Sequence, residues 1–215
     1  MQRLRVKFHR GEDVKYISHL DIMRLWQRAL NRAGIPLAYS EGFNPHPRMS
    51  LAAPLALGVT SEAELMDIVI SRQYSPHAFT TAVSRQLPPG IEIEHVLDTP
   101  MTVPSLQSQV RFAEYRVEIP TIKKKEEIEA AIDDLLTKKE LPWQHRRDTG
   151  LRRYDLRALI NETWLIDMDH ECCTIGMRLR CDSNGAGRPE QVASALGFEE
   201  YPKSIHRTRL ILMTG

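Results

Sequence analysis

Two histidines stand where the chain could do acid–base work. His19 follows Ser18 and comes just before Asp21, and His46 lies between Pro45 and Pro47 with Arg48 close behind. Imidazole changes its charge near neutral pH. Two of them facing one cleft can therefore act as acid and base in a metal-independent RNA cleavage or transfer. Arg48 adds a planar two-pronged donor suited to phosphate or carboxylate. The prolines hold Asn44 and His46 extended and remove two backbone donors, so the loop over 40–50 is stiff and loses little entropy on binding. Gly42 admits a positive φ, and Phe43 can stack on a base or anchor itself in the core. The plainer alternative is a rigid crossover between two strands.

Ser18 also opens a helix, with Asp21 three residues on as a short capping box. Unpaired amides and the helix dipole favour an anion at such an end, although capping around a packed imidazole uses the same residues. Arg24, Arg28 and Arg32 then recur every four residues, opposite an apolar face of Ile22, Leu25, Trp26, Ala29, Leu30 and Ala33. This basic stripe fits either phosphates or a solvated surface. The binding candidates of the first half are thus Ser18, Asp21, Arg24, Arg28, Phe43, Asn44, His46 and Arg48, with His19 and His46 as the catalytic candidates.

The second half contains WQHRRDTGLRRYDLR, in which Arg146, Arg147, Arg152, Arg153 and Arg157 outnumber Asp148 and Asp155. Interleaved with Trp143 and Tyr154, they suit a groove that stacks bases and holds phosphates. A solvated hairpin laced with ion pairs is the alternative. His170, Glu171, Cys172 and Cys173 invite a metal reading, but adjacent strand residues point to opposite faces and both thiols cannot easily serve one ion. No metal and no other cofactor is expected. Ser61, Glu62 and Glu64, after Gly58, read as a turn and a solvated strand start.

The remainder of the chain narrows the field. Its 215 residues carry 29 basic and 28 acidic side chains, a net charge of +1, so any nucleic-acid role must come from local clustering. A composition of 42% hydrophobic and 27% charged residues excludes disordered, fibrous and disulfide-scaffold classes. Neither GxxxxGK[ST], HExxH nor GxSxG occurs. The opening MQRLRVKFHR lacks the apolar core of a secretory signal, and the longest apolar runs fall well short of the ~20 residues that span a bilayer. Three cysteines, two of them adjacent, fit a reducing cytoplasm.

These residues need elements to hold them. Leu4, Val6 and Phe8 alternate with Arg3, Arg5 and Lys7 as in a half-buried strand, and the Ser18 helix follows, closed by Gly34 and Pro36. A short strand near 37–40, a strand through Met66, Ile68 and Ile70, a helix opened by Ser75 and Pro76, and a strand from Ile91 complete the order β-α-β-β-α-β. Two prolines and small polar residues make 99–110 a linker. A similar order then returns. It comprises a strand from Ala113 to Ile119, a helix through Ile128 and Leu135, strands near 141–147, 154–159, 163–168 and 173–180, a helix from Pro189 to Gly197, and a last strand from Ile205. The pattern predicts an α+β protein of two tandem ferredoxin-like (βαββαβ-type) domains, 1–98 and 111–215, each an antiparallel sheet covered by helices on one face.

YISHLDIMRLWQRALNRAG, YSEGFNPHPR and LGVTSEAE, with weaker echoes in YDLRALI and IHRTRLI, resemble an uncharacterised bacterial domain encoded beside or fused to certain radical-SAM proteins. The resemblance implies that these positions are functional and that a radical-SAM protein is the partner. It supplies context and not a reaction. The cysteine triplet of a radical-SAM cluster is absent, so the chain looks like the stand-alone form. The expectation is an accessory protein that binds RNA, tRNA or ribosomal RNA, or another anionic macromolecule, for that partner, with no membrane involved. The alternatives are an RNA-processing enzyme using His19 and His46, and a pure protein-interaction domain.

Overall fold

The first strand, β1 (Gln2–Arg10), alternates buried and half-buried residues without a break. Its inward row runs Gln2, Leu4, Val6, Phe8 and Arg10. The two polar ends of that row are satisfied rather than solvated. Gln2 donates to the Tyr74 carbonyl and the Asp98 carboxylate, and Arg10 to the carbonyls of Val14, Lys15 and Ile17. The computed structural model describes residues 1–147 and 150–213, the side chains of 145–147 lying outside that description.

The chain divides into two units, Met1–Val110 with Met213, and Arg111–Leu212. Each is mixed α+β, built on a largely antiparallel sheet. In the first unit β1 leads to α1 (His19–Arg32), then β2 (Met49–Leu51), β3 (Thr60–Ile70), α2 (Pro76–Ser84) and β4 (Ile91–Thr99). β1 lies between β3 and β4, and β2 lies on β3, every pair antiparallel. The order across this sheet is β4-β1-β3-β2. Its core joins Leu4, Val6 and Phe8 to Ile22, Trp26 and Leu30 of α1 and to Phe79 and Val83 of α2. Phe8 and Trp26 meet edge to face, with ring centroids 4.9 Å apart.

Segment 99–110, expected as a linker, carries the short helix α3 (Leu106–Gln109), which Ser105 caps while Leu106 is fully buried. In the second unit β5 (Val110–Pro120) is followed by α4 (Lys125–Thr137), β6 (Pro142–Arg147), β7 (Gly150–Asp155), β8 (Ile160–Met168), β9 (Cys172–Asp182), β10 (Gly185–Ala186), α5 (Pro189–Ala195) and β11 (Ser204–Leu212). β5 pairs with β9 along its length, β8 covers the far edge of β9, and β11 neighbours β5. β6 and β7 form a separate two-stranded sheet inserted between α4 and β8.

Three local expectations change. The strand near 37–40 reduces to single bridges, Leu37 to Ile70 and Tyr39 to Pro47, because the chain leaves the sheet edge there as a hairpin. The strand at 154–159 ends at Asp155, whose carboxylate accepts the Arg157 N–H and turns residues 157–159 into one 3-10 turn. Ser61 and Glu64 are buried in β3 and not solvated, while Glu62 is exposed. Among the described residues no helix is long and apolar enough to cross a membrane.

Candidate functional site

Ser18 is the N-cap of α1. Its Oγ accepts the Asp21 N–H at 3.2 Å and donates to the Asp21 carboxylate at 2.7 Å. Arg24 reaches the other Asp21 oxygen at 3.2 Å. The Ser18 hydroxyl and then Arg24 hold the Asp21 carboxyl below its ordinary range. Ser18, Asp21 and Arg24 therefore close on one another, and His19 beside them stays exposed. Farther along the stripe, Arg32 donates to the side chain and the carbonyl of Gln86. Arg28, Arg32 and Arg85 line an open cleft of about 440 Å³ over Leu25 and Leu87.

The proline-rich segment is a hairpin whose stem closes by Tyr39 bridging Pro47, Ser40 N–H donating to the His46 carbonyl, and Arg48 N–H donating to the Ala38 carbonyl. The Ser40 hydroxyl accepts the His46 N–H. At the tip Gly42 takes a φ of 119°, a region that favours glycine. Phe43, Asn44, His46 and Arg48 are all exposed, and Phe43 has no core anchor at all, with 105% relative exposure. Arg48 points toward the Met1 sulfur at 3.5 Å.

The sheet register sets these two motifs apart. Arg10 binds the carbonyls just before Ser18, so α1 begins at the Arg10 end of β1. The hairpin stem is fixed by Ala38 and Arg48 to Val69, which lies opposite Arg3. Arg3 and Arg10 are separated by about 23 Å of strand at ~3.3 Å per residue. The fold therefore anchors His19 and His46 at opposite ends of β1 and does not converge them on one cavity.

The arginine-rich segment forms a hairpin in which Trp143 lies directly opposite Tyr154 and Gln144 opposite Arg153. Alternation puts Trp143, Tyr154 and Arg152 on one face and Gln144, Arg153 and Leu151 on the other. Arg152 and Arg153 are exposed, and the Arg152 guanidinium lies 5.8 Å from the Tyr154 ring centroid. The Arg146 and Arg147 side chains and Asp148 lie outside the described residues. Arg157 behaves differently from its neighbours. It is half-buried and donates to the Ile160 carbonyl at 2.6 Å and the Leu136 carbonyl at 3.0 Å, the latter in the last turn of α4. Its guanidinium thereby caps the C-terminal end of α4.

Cys173 is buried and faces the core, and burial pushes its thiol up to about 11. Among the described residues no group of three His, Cys, Asp or Glu side chains is arranged to hold a metal ion. Sequence reasoning overlooked Arg180, Asn184 and Arg188. The tight Ser183-Asn184-Gly185 turn, which folds β10 back on β9, was the signal that these residues meet.

A family model described as "Uncharacterized protein conserved in bacteria (DUF2344)" matches residues 3–189. No curated protein matches the chain. Among solved structures it is similar to a chain in the crystal structure of a Cbf5-Nop10-Gar1 complex, at 9% identity and a TM-score of 0.53, covering 96% of this chain and 48% of that one. A chain of the archaeal box H/ACA sRNP Nop10-Cbf5 complex gives 11% identity and a TM-score of 0.47, covering 98% and 48%. The chain spans about half the length of these solved chains. At such identities the likeness is one of fold alone.

Proposed function

The chain belongs to this family of bacterial proteins, and we propose that it is an RNA-binding accessory protein whose partner is a radical-SAM enzyme. The observation that carries the RNA reading is the β6–β7 hairpin, where an aromatic pair, Trp143 and Tyr154, shares one face with exposed Arg152. Rings that stack bases beside a cation that meets phosphate are the elements of single-strand binding. Arg153 on the opposite face and the Arg28–Arg85 cleft of the first unit add phosphate-directed charge to a chain that is otherwise neutral. Each unit is read as a ferredoxin-like domain, a reading supported by the β4-β1-β3-β2 order of the first and the β11-β5-β9-β8 order of the second. The radical-SAM partner is supported by the sequence resemblance alone.

The test is binding of the intact chain to tRNA and to ribosomal RNA fragments over a range of salt. Affinity should fall steeply with salt, and Arg153→Ala should lower the log–log slope by about 0.7–0.9, the contribution of one phosphate contact. Absent or salt-independent binding refutes the reading. A second reading, docking of a protein partner, is favoured by Phe43, a large apolar side chain fully exposed on a stiff tip. Capture of the radical-SAM protein that survives nuclease and is lost in Phe43→Ser supports it.

A further inference from the structure

Beside the hairpin the second unit holds a half-open cavity of about 220 Å³. Three arginines reach it from three elements: Arg152 from β7, Arg180 from β9, and Arg188 from the residue just before α5. Each is aimed by a neighbour. Arg180 Nε binds the Asp182 carboxylate at 2.9 Å, Arg188 stands 3.8 Å from Glu190, and Arg152 lies over the Tyr154 ring. A guanidinium carries five N–H donors, so one ion pair orients it and leaves donors for a ligand. The acidic residue in the lining, Asp155, is engaged by the Leu141 and Arg157 backbone amides at 2.8 and 2.9 Å. Its charge is thereby partly answered from behind.

The remaining wall is apolar or neutral. Ala158, Leu159 and Ala186 supply a flat aliphatic side, and Asn184 carries an amide able to pair with the edge of a base. Tyr154 donates its hydroxyl to Gln191 of α5, which orients the ring, and burial pushes that phenol above its ordinary range. Drug-sized ligands need about 300–1,000 Å³, so this space suits a single small unit and not a stack of them. Three guanidinia, an apolar side and one amide in a single lining match the parts of a nucleotide, namely phosphate, base face and base edge.

We propose that this cavity binds one nucleotide unit, its phosphate on Arg152, Arg180 and Arg188 and its base between Tyr154 and the Ala158–Leu159 wall. The proposal rests on the RNA reading in making that unit part of a strand. The cavity chemistry alone would equally take a free mononucleotide.

Calorimetric titration of the intact chain with a single-stranded RNA dodecamer and, separately, with UMP and AMP tests it. Ala158→Phe fills the slot without altering charge, and Arg188→Ala removes one donor. Both should weaken the dodecamer at least tenfold. Arg188→Ala should also reduce the salt slope by about 0.7, whereas Ala158→Phe leaves the slope as it was. If both variants bind dodecamer and mononucleotides like the parent while Arg153→Ala weakens the dodecamer, the nucleotide pocket falls and the RNA reading stands. If the dodecamer fails but UMP or AMP saturates and Ala158→Phe abolishes this, the pocket stands as a free-nucleotide site and the RNA reading falls. No binding of either probe overturns both.

Discussion

Replacing Arg157 by alanine separates a structural arginine from a nucleic-acid one. Its two terminal nitrogens donate to the carbonyls of Ile160 and Leu136, at 2.6 and 3.0 Å. Leu136 lies in the last turn of α4, where carbonyls have no partner within the helix and the dipole is negative, so a cation there is favourable. A charged hydrogen bond contributes about 1.5–3 kcal/mol, and the half-exposed site lets water take over part of what is lost. The Nε of Arg157 is buried with no partner, so truncation also removes one unsatisfied donor and offsets a fraction of the loss. The net expectation is destabilisation by about 2–4 kcal/mol. Urea denaturation should show a lower midpoint with an unchanged slope. RNA titrations well below that midpoint should return the parent affinity and the parent salt dependence. A variant within about 0.5 kcal/mol of the parent that binds RNA tenfold more weakly would refute the reasoning, because Arg157 would then be a phosphate contact.

Other perturbations probe other parts of the chain. A Cβ at Gly176 would lie 2.2–2.5 Å from three indole atoms of Trp164, its partner across the sheet. Gly176→Ala should therefore cost about 3 kcal/mol in urea denaturation, and adding Trp164→Leu should recover much of it. An unchanged midpoint for the single variant would contradict that packing. Cys173, its thiol pushed up to about 11 by burial, should resist a thiol reagent at pH 8 until the chain unfolds. In the unfolded chain that thiol ionises near its ordinary value, so its contribution to stability should decline as pH rises from about 9 toward 11. Rapid labelling of native Cys173 would oppose both statements. Ser18→Ala removes the α1 cap and should cost about 1 kcal/mol, whereas Phe43→Ser should stay within about 0.5 kcal/mol of the parent. Thermal denaturation of the two variants side by side checks the contrast.

Local features were legible in the order of residues. The Ser18 and Ser75 caps, the stops at Gly34 and Gly197, and the inward row of β1 all lie where spacing and side-chain type put them. The α+β class followed, as did an arginine-rich hairpin, whereas the register that sets Trp143 against Tyr154 came only with the fold. Each of these depends on neighbours a few residues away, and periodicity encodes which way a side chain points within one element.

What each exposed or half-buried charge does was decided by tertiary contacts. Arg152 and Arg157 are five residues apart in one basic run, yet one faces an open cavity and the other caps a helix 21 residues upstream. His19 and His46 looked like partners, but the register of β3 on β1 anchors them at opposite ends of a strand. Arg180 and Arg188 were anonymous until the turn between β9 and β10 brought them to Arg152. The reason is physical. The sequence fixes direction within an element, but convergence between elements depends on register and crossing, which are set by the packing of the whole core and by no single stretch of chain.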